Sequence, residues 1–128
     1  MSLSLLQQPY TLSAEQIDFY QTNQFIKLKN VLDEATVQYF SDVISAEVDR
    51  LNTMDVPLEE RDTYSKAFLQ IFNLWRENAE ARKLVLSKRL AQIAADLMGV
   101  KQVRIYHDQA LFKEPGGGFT PWHADQYY

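Results

Sequence analysis

The sequence contains no cysteine among its 128 residues. It therefore has no disulfide framework, no thiolate zinc site and no cysteine nucleophile. Basic residues are also outnumbered, with 13 Lys and Arg against 17 Asp and Glu, which gives a formal net charge of −4. Nucleic-acid-binding domains usually carry a basic excess or a basic patch, so we expect no nucleic-acid partner.

Long apolar segments are lacking as well. No run approaches the roughly 20 residues that cross a bilayer. The first residues have neither the basic region nor the apolar stretch of a signal peptide. We therefore expect no membrane association and a cytoplasmic location. Hydrophobic residues still make up 46% of the chain and aromatic residues 12%, which is enough to bury a core in a single domain over residues 1–128.

Glycine is missing from the first 98 residues, because all four glycines lie between Gly99 and Gly118. A long stretch without glycine favours regular structure with few tight turns, and its apolar residues recur mainly with helical spacing. We therefore predict an α+β chain that is helical over residues 13–98 and rich in strands over residues 100–128.

Cap residues predict where two helices begin. Ser13 and Gln16 have the spacing of a capping box, which opens a short helix that ends near Asn23. Asp33 is a good N-cap for a long helix over residues 34–53. The apolar stripe of this long helix has spacings of three and four and consists of Val37, Phe40, Val43, Ile44, Val48 and Leu51.

The remaining elements are predicted from periodicity. Residues 78–98 have a helical pattern, divided near Ser87 and ended by Gly99, where a left-handed residue closes a helix. Residues 25–29 alternate apolar and charged side chains, which predicts a short strand with one solvated face. Residues 66–74 are rich in Phe, Leu and Ile, and periodicity leaves both strand and buried loop open for them.

The chemistry is concentrated around His123 and Asp125, which stand two residues apart. On a strand, residues two apart project from one face, so an imidazole nitrogen and a carboxylate oxygen can converge on one ion. Such a pair supplies two of the three ligands in the 2-His-1-carboxylate triad of non-haem Fe(II) oxygenases. Taken alone, the same pattern is more often a surface histidine that pairs with a nearby aspartate.

The surrounding residues 106–128 resemble the phytanoyl-CoA dioxygenase family of Fe(II)- and 2-oxoglutarate-dependent oxygenases. Members of that family have a strand ending in Lys-x-Pro, a glycine-rich turn, and Thr-Pro-aromatic-His-x-Asp followed by further aromatic residues. The matching residues here are Lys113, Pro115, Gly116, Gly117, Gly118, Thr120, Pro121, Trp122, His123, Asp125, Tyr127 and Tyr128. A weaker match extends upstream to the helix start near Ser13, so the resemblance covers most of the chain.

The resemblance implies a double-stranded β-helix (jelly-roll) core, of which this chain would hold the N-terminal helices and the first core strands. It implies that His123 and Asp125 are iron ligands. It also implies that Lys66 and Gln109 contact the cosubstrate 2-oxoglutarate, although Gln109 stands where other members carry Met. The implied partners are a small-molecule substrate and O₂.

Other residues near the motif have plainer explanations. His107 has neither the spacing nor the family match of a ligand, and we interpret it as an ordinary half-buried histidine. Residues 116–118 are not followed by a helix start, so a hairpin turn explains them better than a phosphate cradle does. Lys113 and Asp108 either line the site or form an ion pair.

The family's second histidine ligand is downstream of its His-x-Asp motif, and His107 and His123 are the only histidines in this sequence. We therefore expect this chain to be the N-terminal part of a longer oxygenase, inactive alone, whose remaining polypeptide completes the site. The main hypothesis is a dioxygenase that hydroxylates a small organic substrate. The alternative is a non-catalytic helical binding or assembly module with a relic half-site.

Overall fold

The computed structural model describes residues 3–120, 122 and 123. In this part of the chain the α-helices are α1 (Ala14–Asn23), α2 (Glu34–Leu51), α3 (Thr63–Ala67), α4 (Leu74–Glu77), α5 (Ala79–Val85) and α6 (Lys88–Met98). The strands are β1 (Leu69–Phe72) and β2 (Gln109–Phe112). Short 3-10 helices cover Leu3–Gln7 and Leu58–Glu60.

Side-chain caps determine where the helices begin. The Ser13 hydroxyl accepts the Gln16 backbone N–H at 3.3 Å, while the Gln16 side chain accepts the Ser13 N–H at 2.9 Å, which completes the predicted capping box. Asp33 and Ser87 accept backbone N–H bonds in the same way at the starts of α2 and α6. Gly99 ends α6 at φ 65. These predicted helix starts, and the division at Ser87, are confirmed.

The two strands form an antiparallel ladder, with Leu69 opposite Phe112 and Phe72 opposite Gln109. Because side chains alternate along a strand, the ladder has an inner face and an outer face. The inner face belongs to a hydrophobic core that consists of Val43, Ile44, Val48, Leu51, Leu69, Ile71, Leu74, Ala81, Ala110 and Phe112. The outer face carries Phe72 and Gln109, both of which are exposed.

The N-terminal segment packs on α6. The first 3-10 helix and α1 both contact α6, and the Leu6 side chain is fully buried there. Arg89 of α6, itself only 7% exposed, donates hydrogen bonds to the carbonyls of Gln8, Pro9 and Val31. This single side chain therefore connects α6 to two other segments of the chain.

The predicted strand at residues 25–29 is wrong. These residues form no ladder with any described segment, and the Phe25 ring packs edge-on against Phe19 at 5.6 Å between centroids. Alternation alone cannot make a strand, because the backbone groups need a partner strand to bond. Val37 also departs from its predicted place on the apolar stripe: it is 52% exposed, and its neighbour Thr36 is buried instead.

Strand structure is less extensive than predicted towards the C-terminal side. In the described part of residues 100–128, only β2 is a strand, since residues 102–108 have no ladder partner. The ambiguous segment 66–74 holds the end of α3, all of β1 and the start of α4, so neither strand nor loop describes it fully. Among the described residues, no helix has the length and apolar character needed to cross a membrane.

Candidate metal and cosubstrate site

A glycine-rich turn follows β2 and leads towards His123. Pro115 and Gly116 form its bend, and Gly116 has φ 77, a left-handed value that glycine adopts without strain. The Gly117 N–H donates to the Glu114 carbonyl at 2.9 Å and closes the turn. The predicted turn is therefore present, although residues 119 and 120 do not continue it as a second hairpin strand.

The turn docks on the C-terminal end of α3. The Gly118 N–H donates to the Lys66 carbonyl at 2.9 Å. A Cβ atom at Gly117 would lie 2.7 Å from the same carbonyl oxygen, so the two backbones approach more closely than a side chain allows. Lys66, near the end of α3, is thus held beside the turn that precedes His123.

An N-cap holds α3 in place. The Asp62 carboxylate accepts the Ser65 backbone N–H at 2.8 Å and the Ser65 hydroxyl at 3.2 Å. The backbone hydrogen bond from Ser65 lowers the pKa of Asp62 below its ordinary value of 3.8, and the nearby Lys66 ammonium adds a smaller effect in the same direction. Because α3 has only five residues, its stability depends strongly on this cap.

Lys113 contacts the exit of the turn. Its Nζ donates to the Gly118 carbonyl at 2.6 Å and lies 4.5 Å from the centre of the Phe68 ring. The sequence leaves two roles open for Lys113, lining the site or forming an ion pair. The structure shows a third role, in which the ammonium binds the backbone of the turn.

An ion pair that the sequence does not reveal holds the entry of the turn. Arg61, which follows the second 3-10 helix, pairs with the Glu114 carboxylate across 53 residues of chain. No local pattern links two charged residues at that separation. Only the closeness of Glu114 to the predicted turn could have pointed to it, and nothing in the sequence selects Arg61 as its partner.

His123 lies beyond the turn and is exposed, as is its neighbour Trp122. Asp125 and Pro121 lie outside the described residues, and so does the predicted face that His123 and Asp125 would share on a strand. Within the described part of the chain, no three His, Asp or Glu side chains come together closely enough to hold a metal ion.

Gln109 lies at the far end of the ladder from the turn. It opens β2 opposite Phe72, on the exposed outer face. A strand rises about 3.3 Å per residue, so Gln109 is about 10 Å from Phe112, the end near which the turn and Lys66 lie. The structure therefore does not bring Lys66 and Gln109 into direct contact; the two residues flank the ladder from opposite ends.

His107 belongs to an aromatic group beside Gln109. Its ring centre is 5.6 Å from that of Phe72 and 4.8 Å from that of Tyr106, and the side chain is half-buried. This environment confirms the interpretation of His107 as an ordinary half-buried histidine. Phe72 and Leu111 add exposed apolar surface beside Gln109 on the outer face.

Asp108 has a structural role at the start of α4. Its carboxylate accepts the Trp75 backbone N–H at 3.4 Å, and its carbonyl accepts the Asn73 N–H at 2.9 Å. Asn73 has φ 60, a left-handed conformation that these bonds help to hold. Neither role that the sequence leaves open for Asp108, lining the site or pairing with Lys113, matches these contacts.

The donor types of the predicted site suit Fe(II) and a dicarboxylate. An imidazole nitrogen and a carboxylate oxygen are ligands of the 2-His-1-carboxylate triad, and His123 is an exposed residue. Lys66 offers a cation and Gln109 an amide, both of which bind carboxylates. His123 and Asp125 thus fit two of the three protein ligands, and the described residues supply no clustered third one.

Comparison with protein-family models matches residues 20–128 to phytanoyl-CoA dioxygenase (PhyH). The matched range includes α2 to α6, both strands, the glycine-rich turn and the His-x-Asp motif. Comparison with curated proteins and with solved structures finds no significant match. The matched family has a jelly-roll oxygenase fold, and its members are generally dioxygenases that use Fe(II) and 2-oxoglutarate. Because the match spans most of the sequence, this chain belongs to the phytanoyl-CoA dioxygenase family.

Proposed function

We propose that this protein is an Fe(II)- and 2-oxoglutarate-dependent dioxygenase that hydroxylates a small organic substrate. The observation that carries the proposal is the family match over residues 20–128, which spans both His123 and Asp125. The parent fold in this proposal is the family's jelly-roll, with residues 1–128 as its N-terminal portion. No observation of comparable weight supports a non-catalytic binding module.

In this proposal His123 and Asp125 hold Fe(II) through one imidazole nitrogen and one carboxylate oxygen. His107, the other histidine of the sequence, packs against Phe72 and Tyr106. We therefore assign the third ligand to a histidine outside residues 1–128 of the same polypeptide. Bound iron would supply the activation of O₂, which couples oxidation of 2-oxoglutarate to succinate and CO₂ with oxidation of the substrate.

Lys66 and Gln109 bind the cosubstrate in this proposal. In this assignment the Lys66 ammonium pairs with one carboxylate of 2-oxoglutarate, and the Gln109 amide donates a hydrogen bond to the opposite end of the molecule. Because these residues flank the ladder from opposite ends, each would contact a different part of the cosubstrate.

The first test measures Fe(II) binding by calorimetry without oxygen, on the natural polypeptide that contains residues 1–128. We expect stoichiometric binding in the wild type, loss of binding in His123→Ala, and unchanged binding in His107→Ala. The second variant controls for removal of a histidine as such, with circular dichroism to verify its fold. Undiminished binding by His123→Ala would overturn the proposal.

Two further arms of the same experiment address the other assignments. Residues 1–128 alone should bind Fe(II) weakly, because two protein ligands leave most of the coordination shell to water. Tight stoichiometric binding by this segment would contradict an outside third ligand.

Lys66→Met should weaken 2-oxoglutarate binding to the iron-loaded protein without changing Fe(II) affinity, whereas Lys27→Met, which removes an exposed lysine, should change neither.

A further inference from the structure

The glycine-rich turn is bound on several sides by other residues of the chain. We use the term turn clamp for four residues that bind it: Arg61, Lys66, Lys113 and Glu114. The Lys66 contribution is a backbone carbonyl, whereas the other three act through charged side chains. These contacts involve residues 114–118, and Gly118, the last of them, stands five residues before His123.

Arg61 is the more buried partner of its ion pair with Glu114. Its side chain is 9% exposed, and the Glu114 side chain is 35% exposed. The guanidinium also donates from Nε to the Val56 carbonyl at 2.8 Å, so it ties the preceding loop to the turn. A charge-assisted, partly buried contact of this kind is stronger and more directional than a fully exposed ion pair.

Lys113 fixes the other side of the turn. The Nζ–Gly118 bond joins residues five apart, and the Phe68 ring beneath the ammonium limits its freedom to move away. Gly118 is held through both of its backbone polar groups, because its N–H binds Lys66 and its carbonyl binds Lys113. The chain therefore leaves the turn towards His123 from a fixed point.

We propose that the Arg61–Glu114 pair and Lys113 are positioning residues that orient the His123-bearing segment for metal binding. This inference rests on the function proposed above. A ligand that is already ordered loses less conformational freedom when it binds, so a fixed segment raises metal affinity without touching the metal.

The test compares Glu114→Gln and Lys113→Met with Glu47→Gln. Glu47 forms an ion pair with Arg50 on α2, at 2.6 Å, so Glu47→Gln makes the same chemical change away from the turn. Calorimetry without oxygen gives the Kd for Fe(II), and hydrogen exchange with mass spectrometry follows residues 113–123. We expect a roughly tenfold higher Kd and faster exchange in that segment for both turn variants, and no change for Glu47→Gln.

Urea unfolding of the metal-free proteins separates positioning from simple stabilisation. If Glu114→Gln and Lys113→Met lower the unfolding midpoint but leave the Kd unchanged, the contacts are only structural and the inference is overturned.

Arg61→Lys, which keeps the charge, should retain more Fe(II) affinity than Arg61→Met. If His123→Ala itself retains wild-type affinity, the proposed function fails; if only His123→Ala weakens binding, this inference alone fails.

Discussion

Gly117 is a position where a single methyl group has no room. An added Cβ would lie 2.7 Å from the Lys66 carbonyl oxygen and 3.0 Å from that of Glu114. Both neighbours are backbone atoms held in hydrogen bonds, so neither can move aside as a flexible side chain would. At Gly118, by contrast, the nearest atom to an added Cβ is 3.5 Å away, an ordinary contact distance.

This difference predicts unequal effects of two adjacent alanine substitutions. Gly117→Ala should destabilise the protein by about 1–3 kcal/mol, the range for overpacking in a tight site. Gly118→Ala should change stability by less than about 0.5 kcal/mol, because the Cβ fits. Urea unfolding of the two variants and the wild type measures both values. Equal effects at the two positions would contradict the close approach of the turn to α3.

Among the elements, the short helix α3 depends most on one acidic cap. The hydrogen bond from the Ser65 backbone lowers the pKa of Asp62, and the cap binds in its charged form. A group with a lowered folded-state pKa stabilises the fold fully at pH values above its unfolded pKa. That contribution is lost as the pH falls through the lower, folded-state pKa. Acid should therefore destabilise α3 and weaken the hydrogen bond between the Gly118 N–H and the Lys66 carbonyl.

The matching prediction is a pH-dependent effect of Asp62→Ala. At about pH 7 the variant should unfold at a lower urea concentration than the wild type, and the difference should shrink as the pH falls through the lowered folded-state pKa of Asp62. Asp55→Ala, in the exposed loop before α3, is the control and should leave the midpoint nearly unchanged. A gap between Asp62→Ala and the wild type that stays constant over this pH range would exclude the charged cap as its origin.

Helices could be predicted because their signals are local. The caps Ser13, Asp33 and Ser87 bind backbone groups within three residues of themselves, and Gly99 ends α6 through its own conformation. None of these signals depends on the rest of the fold. The sequence therefore predicts the ends of α1, α2 and α6 to within a few residues.

Strands could not be predicted equally well, because their partners are distant in sequence. Residues 25–29 have the correct alternation but no partner among the described residues. β1 is a strand because β2 pairs with it, far downstream. The same limit applies to the site: the run of glycines predicts a turn, but its bond to Lys66 and the Arg61–Glu114 pair exist only after folding.

At the scale of the whole molecule, Arg89 connects α6 to the N-terminal segment and to Val31. The core around the ladder does not make these connections. The core around the ladder involves α2, α4 and α5, while the N-terminal segment packs on α6. The Arg89 guanidinium lies 5.1 Å from the centre of the Tyr10 ring and donates to carbonyls on both sides, at 2.6 Å to Val31 and 2.8 Å to Pro9. A planar guanidinium can satisfy several carbonyls at once, which an ammonium cannot do in the same geometry.

Arg89→Met should therefore destabilise the protein by about 1–3 kcal/mol, because it keeps much of the side-chain bulk but removes a buried guanidinium and leaves the three carbonyls that it binds without their donor. Arg89→Lys should fall between Arg89→Met and the wild type, since an ammonium restores only part of the hydrogen bonding.

Arg82→Met is the control: Arg82 is exposed and stacks on Trp75 at 5.0 Å, a contact worth about 1 kcal/mol or less. Urea unfolding gives the free energies, and hydrogen exchange should show faster exchange over residues 3–10 in Arg89→Met alone. Equal losses for Arg89→Met and Arg82→Met would mean that the carbonyls of Gln8, Pro9 and Val31 find other donors and that the N-terminal segment is held by apolar packing on α6.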